Sequence, residues 1–402
     1  MSILRNAYFI VGAKRTAIGA YGGTLKNHTV TDMAVIAAQA ALKEANVDPK
    51  LVQSIVMGNI LHSNPCTPYM PRHVGMRVGA NIETPAYAVN RLCGSGFQSI
   101  ISGLQELEAY SYDIGIFGGS ENMSAAPYTV RNIRFGTRFD FEYKMEDSLQ
   151  TALYDSFIKV GMGITAENIG QDINATRQDV DALALDSQMR WSKANESGIF
   201  KDEIVPIPIK DRKGQLIDFC VDEHPRPSTT IESLAKLKPV FKKEGVSTAG
   251  NSSGISDGAA VLIIASEKAV KEHKLTPLAR ITGYSVTGCE PSRMGMGPVP
   301  AIKMLMKAMN VDENKINEYF DHVEVNEAFA VQCLGVERAL GISREILNKN
   351  GGAVAVGHPV GASGSRIMAH LAHQINKGRS KKAVGSACIG GGQGIAISLE
   401  TA

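Results

Sequence analysis

The feature that most constrains this chain is that it repeats itself. An apolar run at residues 7–11 (AYFIV) is followed by a glycine loop. A helix then begins near Thr31, with Met33, Ile36, Ala37 and Ala40 on one face, and after Asn46-Val47-Asp48 comes a second apolar run, Ile55-Val56-Met57. Downstream the order recurs: a strand from Leu278 to Val286, a loop with Gly295 and Gly297, and a helical face of Ile302, Leu305, Met306 and Met309. It closes on Asn310-Val311-Asp312 and the strand Val323-Glu324-Val325. The Asn-Val-Asp triplet thus returns 264 residues later, and four elements in matching order point to a duplicated unit.

A second pair of segments follows the same plan. Gly94-Ser95-Gly96 opens a helix carrying Phe97, Ile100, Ile101 and Leu104, and the next strand ends in Gly118-Gly119. Gly361-Ala362-Ser363-Gly364 opens a helix carrying Ile367, Leu371 and Ile375, and the strand Ala383–Ala387 runs into Cys388-Ile389-Gly390-Gly391-Gly392. Strands alternating with helices imply βαβ crossovers and parallel strands covered on both faces. Residues 122–247 differ in texture: RNIRFGTRF, DRKGQ, HPRPSTT and FKKEG are charged and loop-rich, and a mixed-charge helix near 178–197 reads as a solvated face. The expected division is a first half over 1–121, an insertion over 122–247, a return to the first half over 248–272 and a second half over 273–402.

Charge excludes some functions. With 42 Lys+Arg against 40 Asp+Glu, both scattered, no basic stripe is available for a nucleic acid. No stretch approaches the roughly 20 apolar residues of a membrane helix, so a soluble protein is expected. The six cysteines, at 66, 93, 220, 289, 333 and 388, form no CxxC pair, which argues for reduced thiols and against a disulfide framework or zinc knuckle. Glycine reaches 40 of 402 residues, above the average of about 7%, and is clustered. Arg5, Lys14, Arg15 and Lys26 all precede the first acidic residue, Asp32, which is the composition of a mitochondrial transit segment. Because 7–11 reads as a buried strand, such a signal is expected to remain uncleaved. The chain's last residues, Leu399-Glu400-Thr401-Ala402, are not a peroxisomal tripeptide.

Chemistry concentrates at strand-to-helix junctions. In VNRLCGSGFQSI, Cys93 precedes a helix N-terminus, where free N–H groups and the macrodipole favour a thiolate, and Gly94 and Gly96 let a ligand approach the backbone. Cys66, Cys220, Cys289 and Cys333 read instead as small buried hydrophobes. His358 sits between glycines beside Pro359, on a rigid loop at the carboxyl edge of the sheet, where ligands commonly bind. His28, His62, His73, His224, His273 and His322 read as ordinary hydrogen-bonding residues. His370 and His373 have helical spacing but no third ligand nearby, so no metal is expected. Cys388 follows His358 by 30 residues on the corresponding loop of the second half, and Asn326, in VEVNEAFA, is suited to hold a water or an oxyanion. Two cysteines and a histidine fit acyl transfer through a cysteine, although spacing alone does not bring them into one pocket.

NRLCGSGFQSI, STAGNSSGISDGAA, EVNEAFA, GGAVAVGHPVGASGSR and GSACIGGGQGIA, in this order, resemble the signature segments of the thiolase family, and the resemblance runs from end to end, including KRTAIGAYGG. It implies an α/β fold of two βαβαβαββ halves in five layers with an inserted loop domain. It implies Cys93 as the acyl-carrying nucleophile, His358 as its base and Cys388 as the acid/base at the α-carbon of acetyl-CoA. Asn326 would hold a water beside His358, and the Gly390 N–H would join that of Cys93 in a second oxyanion hole. Arg226, Thr229 and Ser253 match positions that contact coenzyme A, which is a co-substrate; no cofactor is expected to be tightly bound. The implied activity is thiolysis of 3-ketoacyl-CoA in fatty-acid β-oxidation, reversible as a Claisen condensation, by a homo-oligomer expected to be a dimer of dimers. The Arg131, Arg134 and Arg138 segment could serve tetramer contacts or coenzyme A phosphates, or be a solvated loop.

Short-chain acetoacetyl-CoA thiolases usually have His before the Met-Gly of the loop domain, where this chain has Gly161-Met162-Gly163, so longer acyl chains are expected. A short-chain acetoacetyl-CoA thiolase, with an acyl-CoA thioesterase side activity through Cys93, is the alternative. Gly250-Asn251-Ser252-Ser253-Gly254 also satisfies the hydrolase elbow G-x-S-x-G, but Lys242-Lys243-Glu244-Gly245 before it does not read as the required strand.

Overall fold

A computed structural model describes residues 4–210 and 213–402; of the DRKGQ segment, 211–212 lie outside the described residues. The first half contributes β1 (Tyr8–Thr16), α1 (Val30–Ala45), β2 (Ser54–Gly58), α2 (Met70–Val78), β3 (Ala86–Val89), α3 (Ser95–Tyr110), β4 (Ile114–Asn122) and β5 (Ser256–Ser266). The second half contributes β6 (Ala279–Gly288), α6 (Pro298–Ala308), β7 (His322–Val325), α7 (Ala330–Leu340), α8 (Ser363–Asn376), β8 (Lys382–Ile389) and β9 (Gln393–Glu400). Between β4 and β5 lie α4 (Met162–Asp172), α5 (Arg177–Glu196) and several two-stranded hairpins.

The strands form one continuous order, β7-β8-β9-β6-β1-β5-β4-β2-β3. β2 is parallel to β3 and β4, while β5 is antiparallel to β4 and β1. β1 joins the halves: it pairs with β5 from Tyr8 to Arg15 and with β6 over Tyr8–Ile10. β4 and β5 are buried at every residue, as strands covered on both faces must be.

Three apolar clusters account for five layers. α3 and α8 lie between the two sheet halves, where Phe97, Ile100, Leu104, Ile367, Met368 and Leu371 share one core. The outer face of the first half packs on α1 through Met33, Ala37, Ala41 and neighbours. That of the second packs on α6 and α7 through Ile302, Leu305, Met306 and Val331. Burying each large side chain stabilises the fold by roughly 1.5–3 kcal/mol before entropy is counted, so the central layer is the chief tie between the halves.

The repeated triplet has a physical reason in both copies. Asn46 and Asn310 adopt left-handed backbone at the ends of α1 and α6, with φ of 52° and 59°, a conformation asparagine tolerates. Asp48 and Asp312 then accept from the amides of Lys50 and Asn314 to cap a single 3-10 turn. The halves are not identical. The second half has no full strand matching β3; a single bridge from Val323 to Leu347 remains, and 353–356, ahead of His358, form a helical turn.

α5 is not a solvated face. Val180, Leu183, Ala184 and Trp191 form a buried row at helical spacing despite the scattered charges. Part of the basic N-terminal stretch is likewise structural. Arg15 is buried in ion pairs with Glu203 and Asp222, and Lys14 pairs with Glu44. No described helix is long and apolar enough to cross a membrane.

Candidate active site

Cys93 lies where β3 has ended and α3 has not begun. Leu92 takes φ of 45°, an unusual value for a leucine, and turns the chain so that Cys93 stands just before Gly94, the N-cap of the helix. The amides of Gly390 and of Cys93 itself lie close enough to the thiol to favour its ionised form. The electrostatics correct one expectation. Burial pushes the Cys93 thiol up to about 11, the two amides pull it down, and the charge of Glu121 raises it further. The resting group is therefore a thiol that needs a base.

His358 borders the same cavity as Cys93. Its amide donates to Gly254 O at 2.9 Å, and Gly357, at φ of 96°, sets the turn where a Cβ would strike Ser256. Ser363 Oγ lies 2.6 Å from His358 Nδ1 and 3.1 Å from Pro359 O. When the hydroxyl donates to the carbonyl it accepts from Nδ1–H, the tautomer whose Nε2 lone pair faces Asn326 Nδ2. Burial holds the imidazole down at about 4, aided by the Arg366 charge, so it is neutral near pH 7. Asn326, buried at the end of β7, has Nδ2 3.4 Å from His358 Nε2, and its Oδ1 has no partner. An unpaired buried carbonyl beside a base can receive a water.

Two cavities meet here. One, of about 390 Å³, is walled by Ile60, Leu61, Leu92, Leu149 and Val360 and bordered by Cys93 and Gly390. The other, of about 370 Å³, is bordered by Cys93, His358, Phe241, Ser252, Ser253 and Phe329. Cys93, Met123, Leu153, Met162 and Val360 border both. Gly161 borders only the second, beside Leu153. Cys388 is fully buried against Met294 and Ala328, with its thiol raised well above the usual range by burial and then by the nearby Cys93 and Cys289.

The structure thus gathers Cys93, His358, Asn326, Gly390, Ser253 and the adjoining Cys388. Arg226 and Thr229 border neither cavity: Thr229 Oγ1 donates to Arg226 O, and Arg226 is exposed. The segment 250–254 is a loop leading into β5, not a strand-to-helix elbow. Cys66 and Cys220 are exposed, contrary to the buried reading, whereas Cys333 is buried. His322, Glu324 and His370 come close together, but Arg366 pairs with Glu324, and His370 already engages Glu203 through Nδ1 and Asn350 through Nε2. Those contacts leave His322 Nε2 and Glu324 Oε2 without hydrogen-bond partners. Sequence reasoning missed Ser363, Leu92 and Glu121; an isolated Glu closing the apolar run IGIFGGSE was the available signal for the last.

A cysteine at a strand-to-helix elbow and a buried neutral histidine on one cavity, set on a duplicated α/β fold, mark the class of acyltransferases. The family is specific. Residues 8–268 match the model "Thiolase, N-terminal domain" and 275–401 match "Thiolase, C-terminal domain". The chain is 55% identical over 400 residues to the mitochondrial 3-ketoacyl-CoA thiolase of Bos taurus, covering 100% of this chain and 99% of that protein. The crystal structure of human mitochondrial 3-ketoacyl-CoA thiolase superposes with a TM-score of 0.97 at 53% identity, covering 99% of this chain and 100% of that one. The human enzyme in complex with CoA gives 0.95 at 52% identity, covering 100% and 99%. The chain belongs to the thiolase family.

Proposed function

We propose that the protein cleaves 3-ketoacyl-CoA with coenzyme A to acetyl-CoA and a shortened acyl-CoA, in fatty-acid β-oxidation, by a ping-pong route through an acyl-Cys93 intermediate. The observation that carries this is the position of Cys93 at the junction of two cavities, beside a neutral His358. The first cavity, apolar where Ile60, Leu61, Leu92, Leu149 and Val360 line it and polar at Asp155 and Ser156, suits the acyl chain. The second, reaching Ser253, suits the pantetheine arm.

The steps follow from the groups present. His358 Nε2 takes the Cys93 proton as the sulfur attacks the keto carbon, and the amides of Cys93 and Gly390 face the oxyanion. Collapse breaks the bond between the α-carbon and the keto carbon. The acetyl-CoA enolate, stabilised by His358 and a water on Asn326, takes a proton from Cys388, whose raised pKa keeps that proton in place until then. A second coenzyme A gives its thiol proton to the Cys388 thiolate, attacks acyl-Cys93, and expels Cys93, which recovers its proton from His358. Chain length is tested by thiolysis rates on 3-ketoacyl-CoAs of graded length, with mass spectrometry of the trapped acyl-Cys93. A Cys93→Ala variant that turned over would overturn the assignment.

Arg226 and Thr229 would contact coenzyme A outside the second cavity, at its adenine end. The chain divides at 121/122, 247/248 and 272/273, with the insertion forming that outer wall. The protein would be a dimer of dimers. β3 is an edge strand with half-exposed Tyr87, which another chain would cover, and Phe135, Phe139, Tyr143 and Met145 stand exposed near the arginines. Sedimentation at graded concentration tests this. A mitochondrial matrix location, addressed by an uncleaved N-terminal segment, is supported by the mitochondrial relatives and by the central place of β1. The mass of the imported protein tests it.

A further inference from the structure

The wall of the first cavity and the loop of His358 converge on one buried side chain. Glu121, near the end of β4, is completely buried, and no Lys, Arg or His among the described residues lies within ion-pair distance of it. Its oxygens accept four N–H groups. Oε2 receives Ile60 N at 3.1 Å and Gly361 N at 3.0 Å; Oε1 receives Leu61 N at 3.1 Å and Asn59 Nδ2 at 3.0 Å. Ile60 and Leu61 wall the first cavity. Gly361 belongs to the other half of the molecule, three residues after His358 and next to Val360, which borders both cavities.

The approach is too close for side chains. A Cβ on Gly119 would lie 1.9 Å from Gly361 O, and one on Gly58 would lie 2.8 Å from the same atom. The strand ends of the first half are therefore bare where the second half's loop lands, and the carboxylate beside them receives that loop's amide. Four donors around two oxygens fit the ionised form, since a proton on either oxygen would face an N–H. Burial, with Asp257 of β5 adding to it, pushes the carboxyl up, and the amides of Leu61, Ile60 and Gly361 pull it down; since all four partners are donors and none can accept a carboxyl proton, the geometry favours the carboxylate against that upward push.

We propose that Glu121 is a positioning residue for the reaction: its carboxylate ties the acyl-cavity wall to the loop bearing His358, so that the shape of the acyl site and the placement of the base are set together. This rests on the reading of the first cavity as the acyl site and of His358 as the base. It predicts a defect in both properties from one substitution far from coenzyme A.

The test is Glu121→Gln in the full-length enzyme. The glutamine amide must turn its NH2 toward Ile60 and Gly361 or toward Leu61 and Asn59. Asn59 could turn its amide in response, but only by giving up its bond to Ser120 O, and Leu61 N would still lack an acceptor. The expected result is a kcat lowered about 10- to 100-fold, the scale of a misplaced catalytic group. The KM for free coenzyme A should stay near the wild-type value. The ratio of kcat/KM on 3-ketooctanoyl-CoA to that on acetoacetyl-CoA should change by at least about threefold. Glu121→Asp, which keeps the charge but is one methylene too short to reach both loops, should show the same shifted ratio. Wild-type kcat and an unchanged ratio in both variants would overturn the proposal. So would a loss equal at every chain length that matches the loss of titratable Cys93, since that is global unfolding. If the wild-type enzyme fails to thiolyse 3-ketoacyl-CoA, or Cys93→Ala turns over, the underlying reading falls instead, and those controls come before any Glu121 variant.

Discussion

Ser363→Ala isolates what the histidine tautomer contributes. The hydroxyl accepts from His358 Nδ1 at 2.6 Å and donates to Pro359 O. The carbonyl would survive the change, because the amides of Ala362 and Ser363 also donate to it, at 2.8 Å and 3.0 Å. The whole cost falls on the imidazole. A buried N–H left without an acceptor costs about 1–3 kcal/mol. The ring has an escape: the proton can move to Nε2 and be accepted by Asn326 Oδ1, now unpaired, if that amide turns over. The escape form cannot take a proton from Cys93. A preference of 1–3 kcal/mol corresponds to about a 5- to 150-fold loss of the competent tautomer. The assay is the rate of acyl-Cys93 formation in a single turnover, with thermal unfolding measured in parallel. A rate within about twofold of wild type would refute the tautomer argument.

Other outcomes follow from the same geometry. Cys388→Ala should slow carbon–carbon cleavage by about 100-fold or more, because the enolate loses its proton donor, but should slow exchange of acyl groups between acyl-CoA and labelled coenzyme A far less, because the departing thiolate takes its proton back from His358 and the neutral imidazole can then receive the incoming thiol's proton; equal losses in both activities would count against separate roles. Gly161 borders the second cavity and not the first, so Gly161→His, whose Cβ would lie 3.7 Å from Leu153 O, acts on the acyl chain by crowding Leu153 and Met162, which border both cavities; relative rates should shift toward acetoacetyl-CoA, and equal relative rates would sink the idea. His358 is lowered from 6.5 to about 4, so the unfolded chain binds its proton first as pH falls. Its contribution to stability, about 3 kcal/mol, is present above pH 6.5 and lost between 6.5 and 4; urea midpoints should fall over that window, less so in His358→Gln. Arg15→Met leaves the Glu203 and Asp222 carboxylates buried without their cation and should destabilise the fold by about 3–5 kcal/mol, read from urea unfolding.

What could be read from the sequence was whatever left a local signature. The duplication was visible because Asn46 and Asn310 solve the same helix-ending problem, and Cys93, His358 and Asn326 because each stands where an apolar run breaks into small residues. Contacts between distant segments left no such mark. Glu121 meets Gly361 across 240 positions, and Arg15 meets Asp222 across 207, so neither pairing shows locally, and Arg15 reads as part of a targeting signal. The ionisation of Cys93 was misread for a related reason: the helix N-terminus is local, whereas the burial that outweighs it comes from the whole fold.

The place of β1 in the sheet has a consequence for biosynthesis. Its partners are residues 260–266, 279–281 and, at its end, 204–205, so the strand waits for neighbours made about 190 residues later or more. Until then its apolar side chains have no sheet to join, and the nascent chain is open to chaperones or to mispairing. The same seam makes the enzyme intolerant of trimming. A protease that removed residues through Thr16 would take the shared edge from both halves at once, unzipping two sheets with a single cut.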